Sequence, residues 1–400
     1  MVAVLTRIFG TENLQLAEDV VQETFLTAVQ VWSLKGLPDE PSAWLMRCAR
    51  NKAIDWLRRN KFSTSIDFSD PERRLLQSEY TLVTQMDKLW QQEVIDDELL
   101  RMMYTCCHPG IAPESQITLM LKTLCGFSVA EIARAFQTSE DTIAKRLYRT
   151  REFFRNHRIR PEFPGAEALP DATGTVLKAI YLIFNEGYHA THTEEWLRCD
   201  LQEQAMYLCR LLCNHDYTRQ PQVYAAMALM CFHAARNASR MSADGEIVLL
   251  EHQDRSLWNR QQIDEGILFL NIAATGEQLS SYHIEAAIAY EHCAAGQFAD
   301  TNWPRILNYY NLLLRLQPSA VVALNRLIVL YKVEGYAAAM VEAESSPYRK
   351  VWEQHSLFHS LMGEMEATQS PEKSTASYEK AIALTKSVAE KRLLFRKMKL

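Results

Sequence analysis

The sequence lacks long hydrophobic runs. It also has few of the glycines and prolines that form the turns between β-strands. No stretch approaches the roughly 18 to 20 apolar residues that a membrane-spanning helix needs. The first ten residues also lack the charged-then-apolar pattern of a secretion signal. Only 13 Gly and 13 Pro occur among 400 residues, and runs of alternating β-branched residues are scarce. Apolar residues instead recur at helical spacing, so we predict an all-α protein.

Cysteine is present, but its spacing is not that of a metal site. The chain has nine cysteines and no secretion signal, so we expect reduced thiols and a cytoplasmic location. Cys106 and Cys107 are adjacent and precede His108. Adjacent cysteines lack the C-x2-C spacing that lets two thiolates reach one ion, and no second pair lies nearby. We interpret this segment as a helix end and a Pro-Gly turn before a new helix.

Signatures of catalysis are missing as well. We recognise no phosphate-binding glycine loop, nucleophile elbow or Cys–His pair, so we predict neither an enzyme nor a bound cofactor. Two polar clusters were weighed as possible sites, and their spacing does not match HExxH. Buried polar residues that fix turns are the favoured interpretation of both clusters. The first comprises Asn185, Glu186, His189 and His192, and the second Asp244, Glu246, Asp254 and Arg255.

Charge is distributed unevenly along the chain. Residues 1–160 contain 21 basic and 21 acidic side chains, whereas residues 161–400 contain 22 and 28, so the net charge of −6 lies in the second part. That part has no basic stripe and is not expected to bind nucleic acid. The length predicts two or three domains.

Two consecutive helical patterns near the N-terminus differ in charge. The first, AEDVVQETFLTAVQVW (17–32), places Asp19, Gln22 and Glu23 on its polar side. Its apolar face comprises Ala17, Val21, Phe25, Ala28, Val29 and Trp32. The second, PSAWLMRCARNKAIDWLRR (41–59), carries tryptophans, and from Arg47 to Lys61 it has six cations and one acid. An acidic helix followed by a basic aromatic helix is suited to gripping a protein while holding a nucleic-acid strand.

A second element, SVAEIARAFQTSEDTIAKRLYRTREFFR (128–155), has the pattern of a helix-turn-helix. Ser128 with Glu131 forms a capping box, and Ser139 can cap the second helix. The expected core is formed by Ile132, Ala133, Ile143 and Leu147, and the second helix carries Lys145, Arg146, Arg149 and Arg151. Gln137 occupies a turn where glycine is common.

These residues resemble bacterial RNA polymerase sigma factors of the extracytoplasmic-function type. The resemblance implies that the first helix binds core RNA polymerase through Asp19, Gln22, Glu23 and Phe25. The second helix would melt the promoter minus-ten element and capture its bases through Trp44, Arg47, Arg50, Asn51, Arg58 and Arg59, with Asp55 orienting the arginines. The helix-turn-helix would read the minus-thirty-five element through Thr142, Lys145, Arg146 and Arg149.

The remainder of the chain is similar to the C-terminal extension of one subfamily of these sigma factors. The segments YLIFNEGY (181–188), ADGE (243–246), LLEHQDRSLW (249–258) and PSAVVALNR (318–326) carry this similarity. A pattern beginning at Tyr310 recurs at Tyr378, a separation of twice the tetratricopeptide period of 34, with a degenerate middle copy and a turn at Gly335. The resemblance implies tetratricopeptide-like helices that modulate sigma activity and receive a protein or small-molecule signal.

These patterns predict the domain limits. We expect a core- and minus-ten-binding domain at 1–62, a linker at 63–95 whose clearest part is 62–74, a helix-turn-helix domain at 96–160 and a regulatory domain at 171–400. Helical pattern is predicted to resume near Asp96, and the prolines of 160–170 mark a boundary. Compared with the family, the chain is expected to begin late.

Two other functions were considered. One is an operator-binding activator that joins a helix-turn-helix to a repeat-type sensor and acts without polymerase, which the motif at 17–59 disfavours. The other is a protein-binding scaffold with a degenerate sigma portion.

Overall fold

The computed structural model describes residues 1–60, 76, 79–136, 138–188, 198–242, 244–385 and 387–399. These ranges are helical, apart from loops, short 3-10 turns and an isolated bridge between Met241 and Ile247. The predicted all-α fold is confirmed. Within the described ranges, every helix is too short or too polar to cross a bilayer. The predicted linker at 62–74 and residues Gln137, His189, His192 and Ala243 lie outside them.

The chain divides into two compact units, residues 1–180 and 181–400. The helices up to the boundary are α1 (Val2–Phe9), α2 (Leu14–Lys35), α3 (Pro41–Arg59), α4 (Glu79–Leu89), α5 (Gln92–Cys106), α6 (Pro113–Thr123), α7 (Val129–Ala135), α8 (Glu140–His157) and α9 (Leu169–Tyr188). The domain limits given by the sequence patterns remain predictions.

Helices α1 to α4 share one hydrophobic core. Leu5 and Phe9 of α1 are fully buried and pack with apolar residues of α2 and α3. The prediction that helical structure resumes near Asp96 is wrong, because α4 already begins at Glu79. Leu82 and Met86 of α4 are buried in the same core. Their helical spacing lay inside the segment interpreted as a linker, so part of that segment is a structural element of the first domain.

The helix-turn-helix is formed by α7 and α8, and its predicted local signals are confirmed. The Ser128 backbone N–H donates to Glu131 Oε2 at 2.8 Å, and the Glu131 N–H donates to Ser128 Oγ at 3.1 Å. Ser139 caps α8 by accepting a hydrogen bond from the Thr142 N–H at 3.2 Å. These two caps satisfy N–H groups that the helix starts would otherwise leave unpaired. The predicted core is buried: Ile132, Ala133, Ile143 and Leu147.

The second unit is built from further packed helices. They are α10 (Cys199–Asn214), α11 (Pro221–Ala234), α12 (Arg260–Ala273), α13 (Ser281–Ala294), α14 (Trp303–Leu316), α15 (Ala320–Ser345), α16 (Arg349–Trp352), α17 (Ser356–Glu366), α18 (Pro371–Leu384) and α19 (Val388–Met398). Helix α11 is buried along most of its length and packs against α12 and α13. A second core is formed by buried residues of α13, α14, α15, α16 and α17.

The helix bounds at the C-terminal end repeat at the interval predicted from the sequence. Both ends of α18, and the start of α19, lie 68 residues beyond the corresponding points of α14 and α15. Helix α15 is interrupted at Gly335, where φ is 82° and ψ is −170°, as expected for the turn predicted there. The part of α15 that follows Gly335, together with α17, occupies the degenerate middle copy. The spacing therefore reflects two equivalent helical hairpins.

Candidate nucleic-acid and partner interfaces

Helix α2 presents an exposed stripe that combines acidic and apolar side chains. Asp19, Gln22 and Glu23 are exposed, as their predicted role requires. Phe25, placed by the sequence on the apolar face, is 48% exposed, and Val29 is 69% exposed. The buried face of α2 keeps Ala17 and Ala28 from the predicted apolar face and adds Leu14, Glu18, Val20 and Thr24.

Exposed apolar residues on a surface helix indicate a protein-binding face, because folding leaves them in contact with water. Leu26 is 63% exposed on α2 and was missed by sequence reasoning. The signal that could have found it is the breadth of the apolar stripe. Four apolar residues, Phe25, Leu26, Ala28 and Val29, crowd into little more than one turn, which is more than one buried face can hold.

Helix α3 lies against α2 and carries the predicted strand-binding residues. Lys52 of α3 is 3.6 Å from Glu23 of α2, so the acidic and basic helices are linked by an ion pair. Trp44 is half-buried and packs edge-to-face on Trp32, with ring centroids 5.4 Å apart. Four further predicted residues are exposed: Arg47, Asn51, Arg58 and Arg59.

Arg50 differs from the other predicted minus-ten residues because its guanidinium is already engaged. Its Nη2 lies 2.5 Å from Asp87 Oδ1 of α4, and its Nη1 donates to Asn51 Oδ1 at 3.1 Å. Asp87 was missed because it lies inside the predicted linker. Arg59 Nε donates a hydrogen bond to the backbone carbonyl of Asp55 at 3.2 Å, and the orienting role expected of the Asp55 carboxylate stays a prediction.

Helix α8 carries the predicted minus-thirty-five residues near its N-terminus. The Thr142 hydroxyl is 2.9 Å from Ser139 Oγ, and Lys145 pairs with Asp141 at 2.6 Å. Arg146 is half-buried, whereas Arg149 is exposed. The helix therefore offers cations one and two turns from its start, where a recognition helix contacts DNA. Tyr148 is 63% exposed beside them and was not predicted.

Arg151 was counted among the basic residues of this helix, but it faces the first domain. Its Nη2 lies 2.5 Å from Glu18 Oε2, and the Glu18 side chain is only 6% exposed. The pKa of Glu18 is raised by burial, even though Arg151 acts to lower it. Nearby, the Thr11 hydroxyl donates a hydrogen bond to the backbone carbonyl of Ile159. The helix-turn-helix domain thus packs directly on the start of α2.

The segment around Cys106, Cys107 and His108 has structural contacts. Helix α5 ends at Cys106 and α6 begins at Pro113, as predicted. Burial raises the pKa of Cys107 to about 12, so its thiol is inert at neutral pH. His108 Nδ1 accepts a hydrogen bond from the Gly110 N–H at 3.0 Å. Among the residues that the structure describes, no three potential ligands converge as a metal site would require.

The polar clusters of the second unit join neighbouring elements. Asp254 accepts a hydrogen bond from the Ser256 N–H at 2.9 Å. Arg255 Nη1 donates to the carbonyls of His292 and Ala295 at 2.6 and 2.7 Å, at the end of α13. Glu246 pairs with Arg396 of α19 at 2.7 Å. In the other cluster, burial raises the pKa of Glu186 to about 7.

Comparison with known protein families assigns the two domains of the first unit. Residues 1–63 match the model of sigma-70 region 2, and residues 101–154 match the model of sigma-70, region 4. Residues 172–274 match a family of unknown function, DUF6596. The first match covers α1 to α3 and the second covers α7 and nearly all of α8, so together they contain every predicted contact residue.

A full-length relative extends the similarity over the whole chain. An uncharacterised protein of Rhizobium meliloti (strain 1021) is 34% identical over 380 residues, which cover 94% of this chain and 88% of that protein. No solved structure matches the chain significantly.

The helices and the family matches together define a sigma factor, a class of protein that works with RNA polymerase and promoter DNA. The chain belongs to the sigma-70 family. Within that family it is of the extracytoplasmic-function-like type and carries a C-terminal extension with a DUF6596 domain.

Proposed function

We propose that this sigma factor initiates transcription by binding core polymerase through α2, capturing the minus-ten strand on α3 and reading the minus-thirty-five element with α8. The arrangement of α2 and α3 carries the proposal. An exposed acidic and apolar stripe lies directly beside a cationic helix, and the Glu23–Lys52 ion pair links the two. One helix pair can therefore face a protein on one side and a DNA strand on the other.

The residues on α2 and those on α3 differ in chemistry, and each set suits a different partner. Phe25 and Leu26 offer apolar area, and Asp19 and Glu23 offer charge, which together favour a basic and apolar partner surface. On α3, exposed arginines suit phosphates. The partly exposed Trp44 side chain suits stacking with an unpaired base. We propose that residues 171–400 regulate these activities in response to a signal.

The polymerase contact can be tested without DNA. Phe25→Ala should weaken binding of the full-length protein to bacterial core polymerase about tenfold in a fluorescence titration, because an exposed aromatic anchor is lost. Leu268→Ala is the matched control, since Leu268 is 58% exposed in the other unit. Equal affinity of both variants and the parent would show that α2 is not the contact. A parent protein that binds duplex DNA but not polymerase would instead favour an operator-binding activator.

A further inference from the structure

A groove between α17 and α18 lies outside both sigma regions and outside the DUF6596 match. It has a volume of about 680 Å³ and is completed at one end by Arg349 and Glu353. Its floor contains Phe358 and Met362, which are 1% and 7% exposed. A cavity with an apolar floor and charged rims has the general character of a binding site.

One face of α18 lines the groove and leaves its side chains in contact with solvent. Lys373, Ala376, Lys380, Ala383 and Leu384 are all exposed on this face. They are spaced at three and four residues, so they form a continuous stripe. The opposite face of α18 packs through Tyr378 and Ala381 with Leu394 of α19. The groove stripe is therefore a second face of the helix, left uncovered when the hairpin forms.

The groove carries an excess of positive charge, because its two acids have closer partners, although Lys380 is near enough to Glu353 to help Arg349 lower the pKa of that carboxyl group. Glu353 pairs with Arg349 at 2.9 Å, and Glu366 is buried and accepts a hydrogen bond from Ser377 at 3.0 Å. Lys373 and Lys380 make no ion pair with any residue that the structure describes. They lie seven residues apart, which is roughly 10 Å along one side of a helix.

We propose that this groove binds an amphipathic helix of a partner protein whose acidic side chains are seven residues apart and whose apolar side chains lie between them. Two glutamates at that spacing would face Lys373 and Lys380. Ala376 and Ala383 have small side chains, which allow a helix to approach α18 closely. The apolar residues of the partner would pack against Ala376, Ala383 and Leu384, which are exposed on α18, in the helix-in-groove mode of recognition.

The groove does not favour a nucleic-acid strand. A strand would need cations along a continuous path and exposed aromatic rings for stacking. Here the aromatic floor is buried, the two lysines flank alanines, and the second part of the chain is acidic overall.

A helical peptide tests the proposal on the full-length protein. The probe is a labelled alanine- and glutamine-based peptide of about 15 residues, stapled because helices of that length are marginal in water. It carries two glutamates seven residues apart, with leucines midway between them. A second peptide replaces both glutamates with glutamine. The acidic peptide should bind about tenfold more tightly than the amide peptide, and added salt should reduce the difference.

Two charge-matched double variants locate the binding. Lys373→Gln with Lys380→Gln should weaken binding of the acidic peptide about tenfold. Arg392→Gln with Lys399→Gln removes two cations at the same spacing, one on α19 and one at the residue that follows it, away from the groove, and should leave affinity unchanged. All four residues are exposed, so folding should be preserved, which circular dichroism would verify.

Several outcomes would overturn the proposal. These are equal affinity for the two peptides, equal losses in both double variants, or no binding up to about 1 mM. A single-stranded oligonucleotide that bound with the same dependence on Lys373 and Lys380 would also overturn it. Because the assay contains neither polymerase nor promoter, its result is independent of the sigma activity proposed above.

Discussion

Arg146 and Arg151 lie five residues apart on α8, but their contacts differ. Arg146 is half-buried on the side of the helix where Arg149 is exposed, and no acidic partner is found for either among the described residues. Arg151 is fixed to the buried Glu18 carboxylate. A phosphate or base can therefore reach Arg146 and Arg149, whereas the guanidinium of Arg151 is already bound to Glu18.

Arg146→Ala should lower affinity for the upstream promoter element about tenfold, because a contact at the DNA end of the recognition helix is lost. Arg155→Ala removes the same charge about two and a half turns further along α8 and serves as the control. Binding would be measured for the polymerase complex on fragments with and without the minus-thirty-five element. A similar loss of affinity for core polymerase in the absence of DNA would contradict the role given to Arg146.

A partly buried carboxyl group in the second unit makes stability depend on pH. Burial raises the pKa of Glu285 from 4.5 to about 7. The folded state therefore holds its proton more tightly than the unfolded chain does. The stabilisation that this proton supplies is complete below pH 4.5, declines as pH rises towards 7 and is absent above that.

Glu285→Gln should therefore raise the free energy of unfolding at pH 8, by at most about 3 kcal/mol, and change it little at pH 4.5. Glu277→Gln, at an exposed position, should have no effect at either pH. Denaturant unfolding at the two pH values measures the difference. A Glu285→Gln variant less stable than the parent at pH 8 would show that the carboxylate is ionised and stabilising.

At the scale of elements, local signals were enough to predict the helices of the two sigma motifs. Contacts between residues distant in sequence could not be predicted in this way. The caps at Ser128 and Ser139 lie within three residues of their partners, so the sequence determines the helix-turn-helix directly. Helix α4 was missed because its apolar spacing lies beside a polar, proline-containing segment. Its Asp87, which pairs with Arg50, was missed with it. Glu18 and Arg151 are 133 residues apart, and no spacing rule relates them.

The break in α15 requires a backbone conformation that only glycine adopts readily. Gly335 has φ 82° and ψ −170°, and a Cβ placed on it would meet no atom within 4 Å. Gly335→Ala should therefore destabilise the second unit by about 1 to 3 kcal/mol through backbone strain alone. Gly174→Ala, in the interior of α9 and equally free of contacts, should instead stabilise by about 1 kcal/mol. Thermal unfolding of both variants tests this, and equal effects would contradict it.

At the scale of the molecule, the two sigma domains are in contact, whereas the proposed binding of both promoter elements would require them to separate. The minus-ten and minus-thirty-five elements lie about 25 base pairs apart, on the order of 80 Å along the duplex. In the structure α8 touches the turn at Thr11–Asn13 and pairs with Glu18 at the start of α2. We therefore expect this contact to open when both elements are bound.

The Glu18–Arg151 pair gives a test of that opening. Arg151→Met alone should cost about 3 kcal/mol of stability, because Glu18 would remain buried without its partner. Adding Glu18→Gln should recover much of this loss. Since the double variant weakens only the contact between the domains, it should initiate transcription at least as well as the parent. Weaker initiation at matched stability would mean that Arg151 contacts DNA.

The central claim is that this chain directs core polymerase to promoters through α2, α3 and α8. The most direct measurement is transcription by bacterial core polymerase on a library of promoter fragments, with the full-length protein and with residues 171–400 removed. We predict promoter-specific transcripts, with an amount that changes on truncation and so reveals the sign of the C-terminal control. If neither protein binds core polymerase or yields a specific transcript, the proposed function is wrong.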